Sequence, residues 1–314
     1  MLETYTAERL RAAGEHEISD ALERGSIVHF PECPIALPPS DDLEFLRERL
    51  PAQLKLKNIS YHPEADRVRG LAADPDVTAR VHDILTTHGQ RVEELLQCII
   101  PSLAHGWTVG TVSFRPVEER GRNLKPHASN ELVHIDAGAY GATNGNRIFR
   151  FFVNINARQD RAWASKGRFP ELYRKYGEAA NIAPLSPSSL EKGLIDHART
   201  ALLEGLGKLG LPMAHVLDSS PYDRVMRRFH NFMKDSPEFQ HSTDGHMDLR
   251  FPPFSAWMVF TDMVSHASIS GRHALVNTNL VPLKNCRLKE LAPFNILRNV
   301  ANISQNPPGI GPAG

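Results

Sequence analysis

The sequence predicts an α+β chain with a mainly β core, flanked by helices and interrupted by a helical insertion. Alternating or β-branched runs recur at 107–116, 147–156 and 248–281, each bounded by Pro, Gly or Ser turns. A 3.6-residue apolar period occupies the region between Pro75 and Pro101. A helical stretch over 158–235 separates the two strand-rich parts.

Residues 1–25 read as an amphipathic helix, followed by a short strand at Ser26–Phe30 and a Pro-rich loop, Pro31–Pro39. Val77, Val81, Ile84, Leu85, Val92, Leu95, Leu96 and Ile99 share a helix face, and Pro101 ends the run. Trp107–Pro116 and Arg147–Asn156 read as strands. In the second, alternation places Arg150, Phe152, Asn154 and Asn156 on one face. An arginine and two asparagines suit a polar cavity better than a dry core, so that face should line one. Ser188-Ser189-Leu190-Glu191 has capping-box spacing before a run to about Gly210, and Tyr222, Val225, Met226, Phe229, Phe232 and Met233 mark a second helix. Strands return at Asp248–Phe251, Ala256–Asp262 and Ala274–Val281. The result is one domain over 1–304, with an N-terminal elaboration over 1–105, the insertion over 158–235 and a flexible tail over 305–314.

Composition narrows the function. Of 314 residues, 41% are hydrophobic and 23% charged, enough for one sizeable core. Thirty-six Lys and Arg balance thirty-six Asp and Glu, which provides no basic footprint for a nucleic acid. Cys33, Cys98 and Cys286 are scattered and odd in number, so neither a disulfide framework nor a cysteine zinc site is expected, and a reducing, cytoplasmic setting follows. The N-terminus lacks a signal-peptide pattern, and no apolar run approaches the roughly 20 residues that cross a bilayer. Contact with a membrane face stays open.

The chain contains three His-x-acid pairs, at His62-Pro63-Glu64, His134-Ile135-Asp136 and His246-Met247-Asp248. With 15 histidines such pairs arise by chance, so context must choose. Only His134 and Asp136 precede a strand with a polar face and have a distant partner, His266, 130 residues beyond Asp136 after an apolar strand. Two histidines and one carboxylate on one side of a metal leave open positions, the arrangement of non-haem iron(II) oxygenases. A bidentate 2-oxo acid and dioxygen need those positions, which makes Fe(II), 2-oxoglutarate and O2 the expected cofactor and cosubstrates. Arg150, 14 residues after Asp136 on the polar face, is the expected grip for the distal carboxylate. A core ion pair is its structural alternative. Asn154 is the expected second contact to the cosubstrate, and Arg115 and Asn156 are candidates for the substrate.

These segments resemble the Kdo hydroxylase family, iron(II)/2-oxoglutarate dioxygenases that hydroxylate 3-deoxy-D-manno-oct-2-ulosonic acid of lipopolysaccharide at carbon 3. The resemblance runs through Leu56–Ser60, Ser113–Pro116, His134–Asp136, Arg147–Arg150, Asn154–Asn156, Phe251–Pro253, Phe260–Asp262, Ser265–Ala267 and Ser270-Gly271. It implies a double-stranded β-helix (jelly-roll, cupin-like) and a metal triad of His134, Asp136 and His266. It also implies a Kdo-like sugar acid, free or on a glycolipid reached at the cytoplasmic face of the inner membrane. The segment Ala137–Thr143, AGAYGAT, departs from the family by lacking an arginine, and Asn156-Ala157 stands where Asn-Pro is usual. Three other readings stay open at this point: an oxygenase for another small molecule, such as a natural product or amino acid; a zinc hydrolase on the same triad; and an inactive sugar-binding barrel.

Overall fold

The computed structural model describes residues 1–72, 74–121, 124–138, 142–183, 185, 190 and 220–305. The capping box at Ser188–Glu191 with its following run, and the tail from 306, lie outside this set apart from Leu190.

Eleven strands among the described residues form two sheets: β1 (Leu2–Thr4), β2 (Ile27–Phe30), β3 (Ile59–His62), β4 (Arg67–Arg69), β5 (Thr108–Arg115), β6 (Arg147–Asn154), β7 (Arg161–Ser165), β8 (Met247–Phe251), β9 (Ala256–Phe260), β10 (Ala267–Ser270) and β11 (Ala274–Val281). The large sheet runs β1-β2-β9-β6-β11-β5-β3-β4 and the small one β10-β7-β8. The helices are α1 (Ala7–Ala12), α2 (Glu17–Glu23), α3 (Ser40–Glu44), α4 (Pro75–Ile99), α5 (Pro101–Ala104), α6 (Phe169–Tyr176), α7 (Pro221–Asp235), α8 (Pro237–His241) and α9 (Pro293–Gln305). The fold is the double-stranded β-helix with flanking helices.

The interior between the sheets is filled with aromatic rings. Phe152 of β6 stacks on its cross-strand neighbour Trp257 at 5.0 Å between centroids, and Trp257 stacks on Phe251 at 3.9 Å. Trp163 of β7 packs edge-on against Phe152, Phe251 and Trp257. All four rings are essentially buried, so they exclude water from the space below the metal-ligand candidates.

The long helix follows its apolar stripe and is unbroken at Gly89. That glycine serves packing: a Cβ there would come within 2.8 Å of Val112 Cγ2 on β5. The N-terminus differs from the single helix expected over 1–25. Residues Leu2–Thr4 pair in parallel with Ile27–His29, and the rest forms two short helices separated at Ala13–His16. Strand pairing with a remote segment overrode the local amphipathic pattern. The expected helical insertion over 158–235 also opens differently, since Arg161–Ser165 is the middle strand of the small sheet.

A buried ion pair fixes the end of the β6–β9 ladder. Arg147 Nε donates to Asp262 Oδ2 at 2.6 Å, both side chains being 1–2% exposed. Asp262 follows Thr261, whose carbonyl accepts the Asp136 backbone N–H at 2.9 Å, so the pair also holds the strap behind that residue. Replacing one partner strands a buried charge. Asp262→Ala is expected to lower unfolding free energy by about 3–5 kcal/mol, read from the denaturant midpoint, whereas Asp248→Ala on the exposed edge of β8 stays within about 0.5 kcal/mol.

Candidate metal centre

His134 and His266 come from segments far apart in the chain and meet as an antiparallel bridge. His134 N donates to His266 O at 3.0 Å, and His266 N donates to His134 O at 2.8 Å. The alternation of an extended segment then carries Asp136 back to the same side as His134. Among the described residues this is the one cluster with metal-ligand chemistry, its three ligand atoms all within 4.8 Å of one another and all three residues buried. Of the other two His-x-acid pairs, His246 contacts Asp248 at 3.2 Å on the exposed face of β8, and His62 and Glu64 belong to no such cluster.

The histidine tautomers are set by backbone carbonyls. His134 Nδ1 donates to Leu132 O at 2.7 Å and His266 Nδ1 donates to Val264 O at 3.0 Å. A carbonyl only accepts, so each Nδ1 carries the proton and each Nε2 offers a lone pair, an orientation typical of metal-bound imidazoles. Burial lowers the His134 pKa and pushes that of His266 down to about 3. For Asp136, burial acts to raise the pKa, but the Arg150 guanidinium outweighs it and holds the carboxyl well below its ordinary range. The donor set is therefore two neutral nitrogens and one carboxylate, which fits a divalent ion.

The three residues line a small cavity with Arg115, Arg150, Phe152, Trp163 and Ser268 around it. Arg150 reaches it from β6, as strand alternation predicts, while Arg147 is turned away into its own ion pair. Arg150 Nε donates to Asp136 Oδ2 at 3.0 Å and its Nη1 to Thr278 Oγ1 at 3.2 Å. Trp163 stacks on the His266 ring at 5.3 Å, which fixes the plane of that imidazole. Wider clefts exist elsewhere, along Lys166–Tyr176 and between Pro38 and Arg91, but neither contains a metal-ligand cluster.

The expected cosubstrate role of Asn154 is corrected. Its Nδ2 donates to the carbonyls of Phe251, Pro252 and Gln159, and its Oδ1 accepts from Asn156 N. Asn156 Oδ1 in turn accepts from the backbone of Arg158 and Gln159. Neither asparagine lines the cavity. The strand ends at Asn154, and the polar side chains there serve the turn rather than a ligand.

One nearby residue escaped the sequence reading. His230 of α7 lies edge-on to His134 at 4.9 Å, and its Nδ1 donates to Ile135 O at 2.8 Å, leaving Nε2 as an acceptor beside the cluster. It stands four residues after Met226, on the edge of the apolar stripe of α7. That spacing was its only signal in the sequence.

The model of the 3-deoxy-D-manno-oct-2-ulosonic acid (Kdo) hydroxylase family matches residues 6–304. The chain belongs to the Kdo hydroxylase family. Its fold is similar to the Kdo hydroxylase KdoO, a non-haem Fe(II) 2-oxoglutarate-dependent dioxygenase, solved with 2-oxoglutarate and Fe(III), at 25% identity and TM-score 0.77, covering 96% of each chain. The apo structure of KdoO gives 26% and 0.77, and the complex with succinate and Fe(III) gives 25% and 0.76, each again covering 96% of both chains. No curated protein matches the chain.

Because the imidazoles resist protonation, affinity for a divalent ion should change little between about pH 7 and pH 6, where two histidines of ordinary pKa near 6.5 would lose it steeply. The sign follows from depressed pKa values: the neutral, ligating form persists as pH falls until the folded-state pKa is reached. Equilibrium dialysis with Co(II) checks this, and Asp136→Asn, which removes the anionic ligand, is expected to weaken binding at least about tenfold at both pH values.

Proposed function

We propose that this member of the family is an iron(II)- and 2-oxoglutarate-dependent dioxygenase that hydroxylates an unactivated carbon of a Kdo-like sugar acid of lipopolysaccharide. The observation that carries the reading is the cluster of His134, Asp136 and His266 in the cavity of a double-stranded β-helix, with arginines beside it. His134 Nε2, His266 Nε2 and an Asp136 oxygen would hold the iron on one side, leaving the other side to small ligands. Bound iron(II), with 2-oxoglutarate and dioxygen, supplies the oxidising power for a C–H bond that no side chain could break.

The protein's own residues orient and enclose that chemistry. Leu132 and Val264 carbonyls keep both Nε2 lone pairs aimed inward, and Arg150 keeps Asp136 ionised and fixed. The Phe152–Trp163–Trp257 stack closes the floor against water, which protects the site from unproductive oxidation. His230, whose Nδ1 is held by Ile135 O, would offer Nε2 to a sugar hydroxyl. A glycolipid substrate would be met at the cytoplasmic membrane face through its sugar headgroup; no helix among the described residues is long and apolar enough to cross a membrane. Among the described residues the cavity lining supplies no carboxylate besides Asp136, so the general-base carboxylate that a zinc hydrolase reading calls for has no candidate there.

The test is succinate formation by anaerobically iron-loaded protein given 2-oxoglutarate and oxygen, with and without Kdo-containing glycolipid. Turnover should rise with the glycolipid, the product should gain one oxygen atom, and His134→Ala should lower the rate at least about a hundredfold. Iron-dependent turnover that Kdo compounds leave unchanged would reject the sugar acid, and well-folded, iron-loaded protein with no affinity for 2-oxoglutarate would reject the oxygenase.

A further inference from the structure

Among the described residues three large apolar side chains are exposed, Leu2, Leu56 and Met247, and Leu56 stands furthest out, at 61%. Its exposure is built into the backbone. Lys55 N and Leu56 N both donate to Gly70 O, at 2.9 and 3.3 Å, and Leu54 bridges Leu71. Gly70, at φ +98°, leaves no room for a Cβ beside Asn58 O, so the two ends of the loop close tightly on one turn. The chain is pinned on both sides of a leucine that the fold presents to water.

Charge of one sign flanks that leucine. Lys55 is exposed and makes no ion pair among the described residues. Lys57 reaches across to the short turn Pro126–Ala128, where its Nζ donates to Ala128 O at 3.3 Å. That turn is exposed and follows a third lysine, the exposed Lys125, while the nearby Asp235 of α7 is taken up by His127 at 2.7 Å. The surface so formed joins apolar Leu56, Pro126 and Ala128 to three ammonium groups. An apolar tip ringed by lysines suits the boundary of an acidic bilayer, where the tip leaves water for the acyl chains and the ammonium groups stay level with the phosphates.

The same surface borders the metal-ligand cavity. Asn130, two residues beyond Ala128, lines that cavity, so at most about 7 Å of chain separates the turn from it. Lys234 of α7 ties the two together. Its Nζ donates to His127 O and Ser129 O at 3.3 and 2.8 Å, and it stands near enough to Lys57 and to Asp136 for both charges to act on it. We propose that the loop 54–58 and the turn Pro126–Ala128 are the surface through which this protein docks on an anionic lipid bilayer, with Leu56 entering the acyl-chain boundary and Lys55, Lys57 and Lys125 resting on the headgroup phosphates. Delivery of a glycolipid to the cavity rests on the function proposed above; the docking itself requires neither the metal nor a particular sugar.

The experiment is co-sedimentation of the full chain with vesicles of equimolar phosphatidylcholine and phosphatidylglycerol, against phosphatidylcholine alone. Wild type should bind the acidic vesicles at least about tenfold more tightly and lose that preference in high salt. Leu56→Asp should weaken binding to acidic vesicles at least about tenfold, and Lys55→Gln about fivefold. Met247→Asp, the like change at another exposed apolar position, should leave it within about twofold. Leu56→Trp locates the tip directly and covers a failure of the aspartate variant to fold. Over the wild-type background, its emission should shift to the blue on acidic vesicles and be quenched by lipids brominated on the acyl chains.

Wild type that ignores acidic vesicles, an equal loss in Met247→Asp, or a Leu56→Trp emission that does not move overturns the proposal. So does wild type that dimerises in vesicle-free solution while Leu56→Asp is monomeric, since the tip is then a contact between copies of this chain. Protein that docks as expected but shows no turnover stimulated by Kdo compounds rejects the sugar acid and leaves the docking surface standing. Stimulated turnover without docking does the reverse, so the two failures are distinguishable.

Discussion

Two backbone hydrogen bonds between His134 and His266 are the constraint on which the site depends. They join segments 132 residues apart in sequence and set the two imidazoles side by side, with ring centroids 4.7 Å apart. Everything around them keeps that bridge in register. The Asp136 N–H is tied to Thr261 O, Thr261 precedes the Asp262 that pairs with Arg147, and Phe169 N is tied to Met263 O just before the His266 segment. The turn after β10 closes at Gly271, whose φ of +115° and close approach to Arg161 suit no other residue, and its carbonyl accepts from Arg161 Nη1. A shift by one residue anywhere in this strap would turn a metal-ligand candidate away from the cavity.

The second governing feature is charge placed out of water. Three arginines, Arg115, Arg150 and Arg161, stand near Asp136 and Glu119 in a region walled by aromatic rings. Such a cluster is costly unless each ion finds a partner. Arg161 donates through Nη1 to Gly271 O and through Nη2 to Ser268 Oγ, while its Nε has no partner, and Arg150 donates to Asp136 and Thr278. Arg115 lies over the Phe152 ring, and its Nε has no partner among the described residues.

Much of this was legible in the sequence because it follows from periods of two and 3.6. The strands β5, β6, β9 and β11, the helix α4 and the stripe of α7 all repeat their pattern within one element, and the cavity-facing parity of Arg150 follows from the same alternation. The parts that were not legible have no internal period. Strand β1 is three residues long and exists through its pairing with β2, and β7 is a strand because β8 and β10 flank it. Asn154 had the right parity for a ligand contact, but its amide group is consumed by three carbonyls of a turn that local sequence does not specify.

By itself the sequence determined the class of chemistry: which histidines and carboxylate have strand contexts that let them converge, and which strand face is polar. Residue type and alternation are local properties, so they survive without knowledge of the fold. Only the tertiary structure decided how the arginines divide their partners and that His230 stands beside His134, because those depend on which groups from distant strands and helices compete for the same hydrogen bonds. Hydrogen-bond assignment is a property of three-dimensional neighbours, and a linear pattern contains no record of it.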